Sequence, residues 1–324
     1  MGAVLSAFVR GGGDPSHRRQ RDGVVWRATR TPDGPVLLRL QARPADGEIV
    51  AHAWGAGSAW ALDGVPELLG DRDDPTGFEP ASEHIALVES HRARPWWRVP
   101  RSRAVFEALA GAALEQRVTG LEAHDSWRRL LLRFGERAPG PAGAADGVAA
   151  GLRVPPAPLE WAAIPSWEWL RAGVEDARRR VIVRAAPVAG RLEATVDLPG
   201  EEAARLLRTL PGVGVWTAAE IRQRAHGDAD AFSWADFHVS RNVTWALTGQ
   251  VQGDEACAAL IERYRGHRFR VQSLLELAGA SRPRVAPRIT LPSHLPGGAG
   301  ARRAARGGGP AGGGRSAGGG RSAG

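Results

Sequence analysis

From Val24 onward the chain alternates short apolar runs with turn residues. Val24 to Trp26, Val36 to Leu40 and Ile49 to Trp54 are separated by Pro32-Asp33-Gly34 and Asp46-Gly47, a pattern that predicts short strands joined by turns. Asp71 to Pro80 is acidic and reads as a loop, and a small mixed α/β unit is expected to end near Pro95-Trp96-Trp97. After Pro100 the period becomes helical. Phe106, Leu109, Ala110, Ala113 and Leu114 share one face, and 126–134 is amphipathic. Residues 138–158, rich in Gly, Ala and Pro, read as a loop; Pro165-Ser166 then opens a helix, and an arginine-dense helix follows over 176–184. Ala203, Leu206, Leu207 and Leu210 form a helical stripe that stops at Pro211-Gly212-Val213-Gly214. A second helix starts at once, with Val215, Ala218 and Ala219 on its face, and further helices are expected over 236–247, 256–264 and 271–277.

The two ends carry no such period. Residues 1–21 are Gly- and Arg-rich and are expected to be disordered; from about Ser281 the chain is Arg/Gly-rich and repeats Gly-Gly-Gly-Arg-Ser-Ala at 312–317 and 318–323. The fold class expected is therefore mainly α with a smaller N-terminal α/β domain. Its divisions are a basic N-terminus (1–21), a mixed α/β domain (22–100), an all-helical domain (101–280) and a flexible cationic tail (281–324).

Composition narrows the chemistry. With 324 residues, 43% of them hydrophobic, the chain can build one large core or two modest ones. No apolar run reaches the length of a membrane span, and the apolar stretch within Met1 to Gly13 is too short for a secretion signal. A cytoplasmic, nucleoid-associated protein is the simplest expectation. The pI of about 11.1 overstates the basicity of the folded part. Residues 281–324 hold eight arginines and no acid, which accounts for the whole net charge of +8 and leaves 35 basic and 35 acidic groups in 1–280. A polyanion-binding surface on the body must then be a local patch. The single cysteine, Cys257, excludes an intramolecular disulfide, a cysteine zinc site and a four-thiolate iron–sulfur cluster. There is no lysine, so no lysine side chain can form a Schiff base.

The informative segment runs from Leu210 to Val243. A helix ended by Pro-Gly-x-Gly and restarted within two residues is a tight helical hairpin, whose glycines let the backbone approach a partner closely. The amides at the start of the second helix are unpaired and the helix dipole favours an anion there, which suits a phosphate oxygen. An ordinary turn between two core helices is the alternative.

Three ordered matches go further. Leu210 to Ala218 (LPGVGVWTA), Ala235-Asp236-Phe237-His238 placed 22 residues beyond Gly214, and Ala113 to Thr119 (ALEQRVT) together resemble the helix-hairpin-helix DNA glycosylases over roughly 100–280. Within that superfamily the chain is most similar to the 3-methyladenine DNA glycosylase II branch, whose leading α/β domain would correspond to 22–100. The resemblance implies DNA contacts from Gly212, Val213, Gly214, Val215, Thr217 and His238. It also implies a catalytic carboxylate at Asp236 and a wedge that fills the gap left by an extruded base at Gln116 and Arg117. Bifunctional members carry a lysine where Trp216 stands, so lysine-dependent strand cleavage is excluded and a monofunctional glycosylase is expected. Trp216 is a candidate base-stacking residue or a core residue, and Asp236 is equally placed to cap the helix after it. His238 is a phosphate contact, a brace for Asp236 or a structural histidine; Arg222, Arg224 and Arg241 are phosphate contacts or a solvated face. Arg117 departs from the commonly apolar wedge, and Glu220 and Glu276 stand where the family has pocket aromatics.

The activity implied is hydrolysis of damaged, alkylated purines from double-stranded DNA by a monomer. Asp236 would stabilise the oxocarbenium ion as the flipped nucleotide loses its base. No metal or redox cofactor is required, and the resemblance implies a monovalent cation on the hairpin carbonyls. The alternatives are a glycosylase for oxidised or mismatched bases and a DNA-binding protein that kept the hairpin without activity.

Overall fold

In the computed structural model, which describes residues 1–143 and 147–283, the early strand signals pair as a meander. Strands β1 (His17–Arg19), β2 (Val25–Thr31), β3 (Gly34–Arg43) and β4 (Glu48–Trp54) form one antiparallel sheet in that order. The register sets Val25 against Leu40 and Ala28 against Leu37. Trp26, Ala28 and Leu37 thereby face Ala138, Leu152 and Val154, while Val25, Leu38 and Leu40 face Leu5, Phe8, Val65 and Leu68. Covering both faces explains why β2 is buried almost continuously instead of at every second residue.

Among the described residues, four α-helices lie within the first hundred positions: α1 (Gly2–Leu5), α2 (Ser58–Asp63), α3 (Val65–Leu68) and α4 (Ile85–Ala93), the last of which packs on the late helices through Leu87. The first helical core surrounds α5 (Val105–Glu115), which buries every residue from Val105 to Leu114 except Glu107. A helix apolar on all sides must be enclosed. It is enclosed by α6 (Gly120–Phe134), α7 (Pro158–Ala163), α8 (Ser166–Arg171), α9 (Asp176–Ala185), α10 (Ala189–Glu193), α11 (Gly200–Leu207) and α12 (Val215–Ile221). A two-stranded ribbon, β5 (Glu136–Arg137) with β6 (Arg153–Val154), crosses the segment expected to be a loop. Helix α6 starts at Gly120 because Thr119 and Glu122 form a reciprocal capping box. The second core gathers α13 (Val239–Thr248), α14 (Asp254–Ile261) and α15 (Arg268–Leu277) around Phe232, Leu247, Ile261 and Leu274.

Two expected divisions are corrected. Residues 1–21 are not disordered: Val4, Leu5 and Phe8 are buried, and β1 pairs with β2. Asp14 fastens this segment by accepting from the Arg10 amide at 2.8 Å, the Ser16 amide at 2.9 Å and the Trp127 indole at 3.1 Å. Nor does a domain end at residue 100. Phe78, Leu87, Trp97 and Val99 belong to the second helical core, and Met1 through residue 283 lie in one compact unit. His84 Nδ1 lies 2.6 Å from the Tyr264 hydroxyl, Ser90 donates to the Leu274 carbonyl at 2.6 Å, and Asp73 pairs with fully buried Arg270 at 2.6 Å. On the other side, Arg27 and Thr29 of β2 bind Glu107 of α5 at 2.7 and 2.5 Å, joining sheet to helices. Most of the proposed tail, residues 284–324, lies outside the described residues.

Candidate active site

The hairpin forms where the sequence places it, between α11 and α12. Gly212 has φ 95°, and a Cβ there would meet Val181 Cγ2 at 2.6 Å, so both conformation and space demand glycine. Gly214 precedes α12 with no side-chain cap. Among the described residues, the amides of Gly214, Val215 and Trp216 donate to no acceptor, and Gly212, Gly214 and Val215 are exposed. Val213 and Thr217 are instead buried. Val213 packs into the first core, and the Thr217 hydroxyl accepts from Gln116 Nε2 at 2.9 Å.

Asp236 stands at the seam between the two helical cores. Its Oδ1 accepts from the amides of His238 at 2.7 Å and Val239 at 3.0 Å, capping α13. Its Oδ2 accepts from Trp216 Nε1 at 3.0 Å. Three donors thus aim one carboxylate, one of them from the hairpin helix. The helix begins at Val239, three residues later than its apolar pattern implies, because Asp236 serves as its cap. The preceding Ala235 holds φ 63°, a left-handed conformation that costs a non-glycine residue roughly 1–2 kcal/mol. Asp254 secures it by accepting from the Ala235 amide at 2.9 Å, and it also takes the Ser240 hydroxyl. Strained backbone held by surrounding bonds is common at functional sites.

Arg117, at the end of α5, is the second strained residue of the site, with φ 55°, and it is exposed. Gln116 is not free. Its Nε2 donates to the Gly212 carbonyl and to Thr217, both at 2.9 Å, bracing the hairpin. Of the two wedge candidates, only Arg117 projects to solvent. Phe237 and His238 are exposed beside Asp236, and the guanidinium of Arg241 lies 4.6 Å from the centre of the Phe237 ring. Arg222 and Arg224 are spent elsewhere: Arg222 pairs with Asp228, and Arg224 with Glu220 at 2.5 Å. Neither presents a free cation for a phosphate.

Behind Asp236 lies a polar chain that the sequence pattern does not disclose. Buried Ser233 donates to Glu220 Oε1 at 2.6 Å and accepts from Gln223 at 2.8 Å and Gln272 at 3.1 Å. Gln272 also donates to Glu276 Oε1 at 3.1 Å. Desolvation, with Glu220 and Asp236 nearby, pushes the Glu276 carboxyl up to about 7 against the opposing pull of Gln272 and Arg224. Ser233 and Gln272 carry no signal in the sequence, because only their spacing in three dimensions singles them out.

Among the described residues no group of three or more His, Cys, Asp or Glu is placed to hold a metal. Two hairpin carbonyls that a monovalent cation would use already accept hydrogen bonds: Leu210 O from the Val213 amide at 3.0 Å and Gly212 O from Gln116. Only their second lone pairs remain for an ion.

No protein-family model matches this chain, and no curated protein matches its sequence. Solved structures do match in fold. The chain is similar to 3-methyladenine DNA glycosylase from Archaeoglobus fulgidus, with 20% identity and a TM-score of 0.65 over 85% of this chain and 93% of that one. It is also similar to the 8-oxoguanine glycosylase/lyase of Clostridium acetobutylicum, solved with double-stranded DNA containing cytosine opposite 8-oxoguanine. There the identity is 13% and the TM-score 0.61, over 85% of this chain and 89% of that one. Mostly helical, with an N-terminal four-stranded antiparallel sheet and the hairpin ahead of Asp236, the chain has the fold of the helix-hairpin-helix DNA glycosylases.

Proposed function

We propose that this protein is a DNA N-glycosylase of base excision repair that removes damaged purines from double-stranded DNA, acting as a monomer in the cytoplasm with the nucleoid. The observation that carries the reading is the aim of Asp236. A helix cap needs one carboxylate oxygen; here the second oxygen is turned to the indole of Trp216 at 3.0 Å, beside an exposed hairpin with unpaired amides. Pure DNA binding gains nothing from a carboxylate held beside a phosphate site, because like charges repel there.

The chemistry follows from these positions. The amides at the start of α12 take a phosphate oxygen, which sets the strand against the site. Arg117 enters the stack as the target nucleotide leaves it, since a base within the duplex cannot be reached. As the C1′–N bond lengthens, positive charge grows on the sugar, and Asp236 stabilises it and orients the water that attacks C1′. An alkylated purine is cationic and leaves as a neutral molecule, so alkylated bases are the first substrates to try. With no lysine in the chain, the product is an intact strand bearing an abasic site. Neither a redox group nor a metal enters these steps, and a monovalent cation on the hairpin would serve only to orient its carbonyls.

The test is incubation of methylated duplex DNA with the protein, followed by strand analysis with and without alkali. Release of methylated purine with breaks only after alkali is expected. Breaks without alkali would contradict the monofunctional reading. Tight duplex binding without release of methylated purine would favour either a glycosylase for oxidised or mismatched bases or the binding-only alternative.

A further inference from the structure

A cavity of about 190 Å³ lies between α4, the segment that follows it and α15, and none of its lining residues belongs to the hairpin or to the Asp236 loop. Phe78 and Trp97 supply aromatic walls, and His91, Arg94, Arg98 and Arg270 supply basic groups. Among the described residues, no Asp or Glu lines it. Arg270 is neutralised by Asp73, with contacts at 2.6 and 3.0 Å. Arg94 and Arg98, both half-buried, are not neutralised. Arg94 donates to the Ser90 hydroxyl at 3.1 Å and the Leu277 carbonyl at 2.9 Å. Arg98 Nη1 donates to the carbonyls of Pro95 and Trp97, both at 3.0 Å. Among the described residues, neither guanidinium has a carboxylate partner, and Arg98 Nε and Nη2 donate to no acceptor. Trp97 adds a further donor: it is 5% exposed, and its buried Nε1 has no hydrogen-bond partner.

Carbonyl and hydroxyl contacts orient a guanidinium but leave its charge in place, and two such charges at one cavity repel each other. Burial, with the charges of Arg270 and Arg98 adding to it, holds His91 below its usual range, as expected where positive groups converge. A buried N–H without an acceptor is costly as well. One kind of ligand relieves all three: a small group with about two negative charges and several acceptor oxygens.

We propose that this cavity is an oxyanion site that takes a phosphate group, with Arg94 and Arg98 balancing its charge and the Trp97 indole donating to one of its oxygens. Charge-assisted bonds of this kind are among the strongest a protein makes. Size agrees with the assignment. At roughly 30 Å³ per water the cavity has room for about six, enough for a phosphate with a few waters, whereas larger organic ligands need about 300 Å³ or more. The phosphate comes either free from solution or from the backbone of bound DNA, and the same groups recognise both. The site lies beyond the glycosylase reading and stands without it.

The experiment titrates inorganic phosphate into the full-length protein by calorimetry at about pH 8, where the ion is a dianion, with ionic strength held constant by sodium chloride. One saturable phosphate per chain with a Kd of about 1 mM or tighter is expected. Arg98→Gln should weaken it by about 10-fold or more, and Trp97→Phe, which removes the N–H and keeps an aromatic wall, by about 10-fold. Circular dichroism checks that each variant is folded. A measurement on the wild type alone guards against their failure: in the ¹H–¹⁵N spectrum the Trp97 indole resonance should shift with the same Kd. No saturable binding up to about 20 mM, an unmoved Trp97 resonance, or binding that survives both substitutions would each overturn the proposal. Repeating the titration with saturating undamaged duplex separates the two sources. Loss of phosphate binding identifies the DNA backbone as the occupant, and retention identifies a free anion; both uphold the site.

Discussion

Arg117 and Gln116 are neighbours with opposite fates. The glutamine spends its amide on the hairpin, and the arginine projects from a left-handed backbone at φ 55°. A long cation that fills the gap left by a flipped base repays part of the unstacking cost, which is a few kcal/mol. Arg117→Ala should therefore lower kcat/KM on a paired lesion by about 10- to 100-fold, with little change for the same lesion in single-stranded DNA. Equal loss on both substrates would reassign Arg117 to general phosphate binding. At this scale the spacing from Gly214 singles out Asp236 as the proposed catalytic carboxylate. It does not disclose the partner. Trp216 precedes Asp236 by 20 residues, and only the packing of α12 against the loop brings its indole within 3.0 Å. Ser233 and Gln272 were illegible for the same reason: each is an ordinary polar residue until the fold sets it between two glutamates.

Helices are the most legible part of the chain, because their apolar periods need no tertiary information. Their ends are set by local bonds that periodicity does not see. Thr119 and Glu122 start α6, Asp236 delays α13, and Glu193 caps α5 from 88 residues away in sequence by accepting from the Val105 amide at 2.7 Å and the Phe106 amide at 2.9 Å. Burial pushes the Glu193 carboxyl up to about 7, with Glu107 adding to the effect and the two amides opposing it. The folded state then holds a proton that the unfolded chain releases above about pH 4.5. Stability must fall as pH rises from about 4.5 to 7, by no more than about 3 kcal/mol from this group. Glu276 acts in the same window, so Glu193→Gln is needed to isolate the contribution. Urea unfolding at pH 5 and pH 7 should show a smaller loss of stability in the variant than in wild type. An identical loss in both would mean that Glu193 is ionised throughout.

At the scale of the whole molecule, the fold unites segments that the sequence pattern separates. Residues 1–21 look unstructured because Gly11, Gly12 and Gly13 and the surrounding arginines mask the contribution of Val4, Leu5, Phe8 and the single carboxylate of Asp14. Their order comes from contacts with the sheet and with Trp127, which lie far along the chain. Likewise Phe78 to Val99 follow the sheet in sequence but pack with the last helices, so a composition shift near Pro100 marks a change of element type and no boundary of cores. The arginines of 281–324 add charge to a body that is otherwise balanced. Removing residues 284–324, which hold seven of them, should flatten the dependence of log K for duplex DNA on log salt, by up to about 0.9 per arginine that meets a phosphate. An unchanged slope would exclude the tail from binding. In the proposed reaction Asp236 acts on the glycosidic bond and not merely on the helix it caps. Asp236→Asn keeps the Oδ1 acceptor for α13, so fold and duplex affinity should persist. Single-turnover release of 7-methylguanine, measured alongside duplex affinity for wild type and this variant, should show release falling by about 100-fold or more while binding stays unchanged. Undiminished release by Asp236→Asn would mean that the carboxylate serves the helix alone.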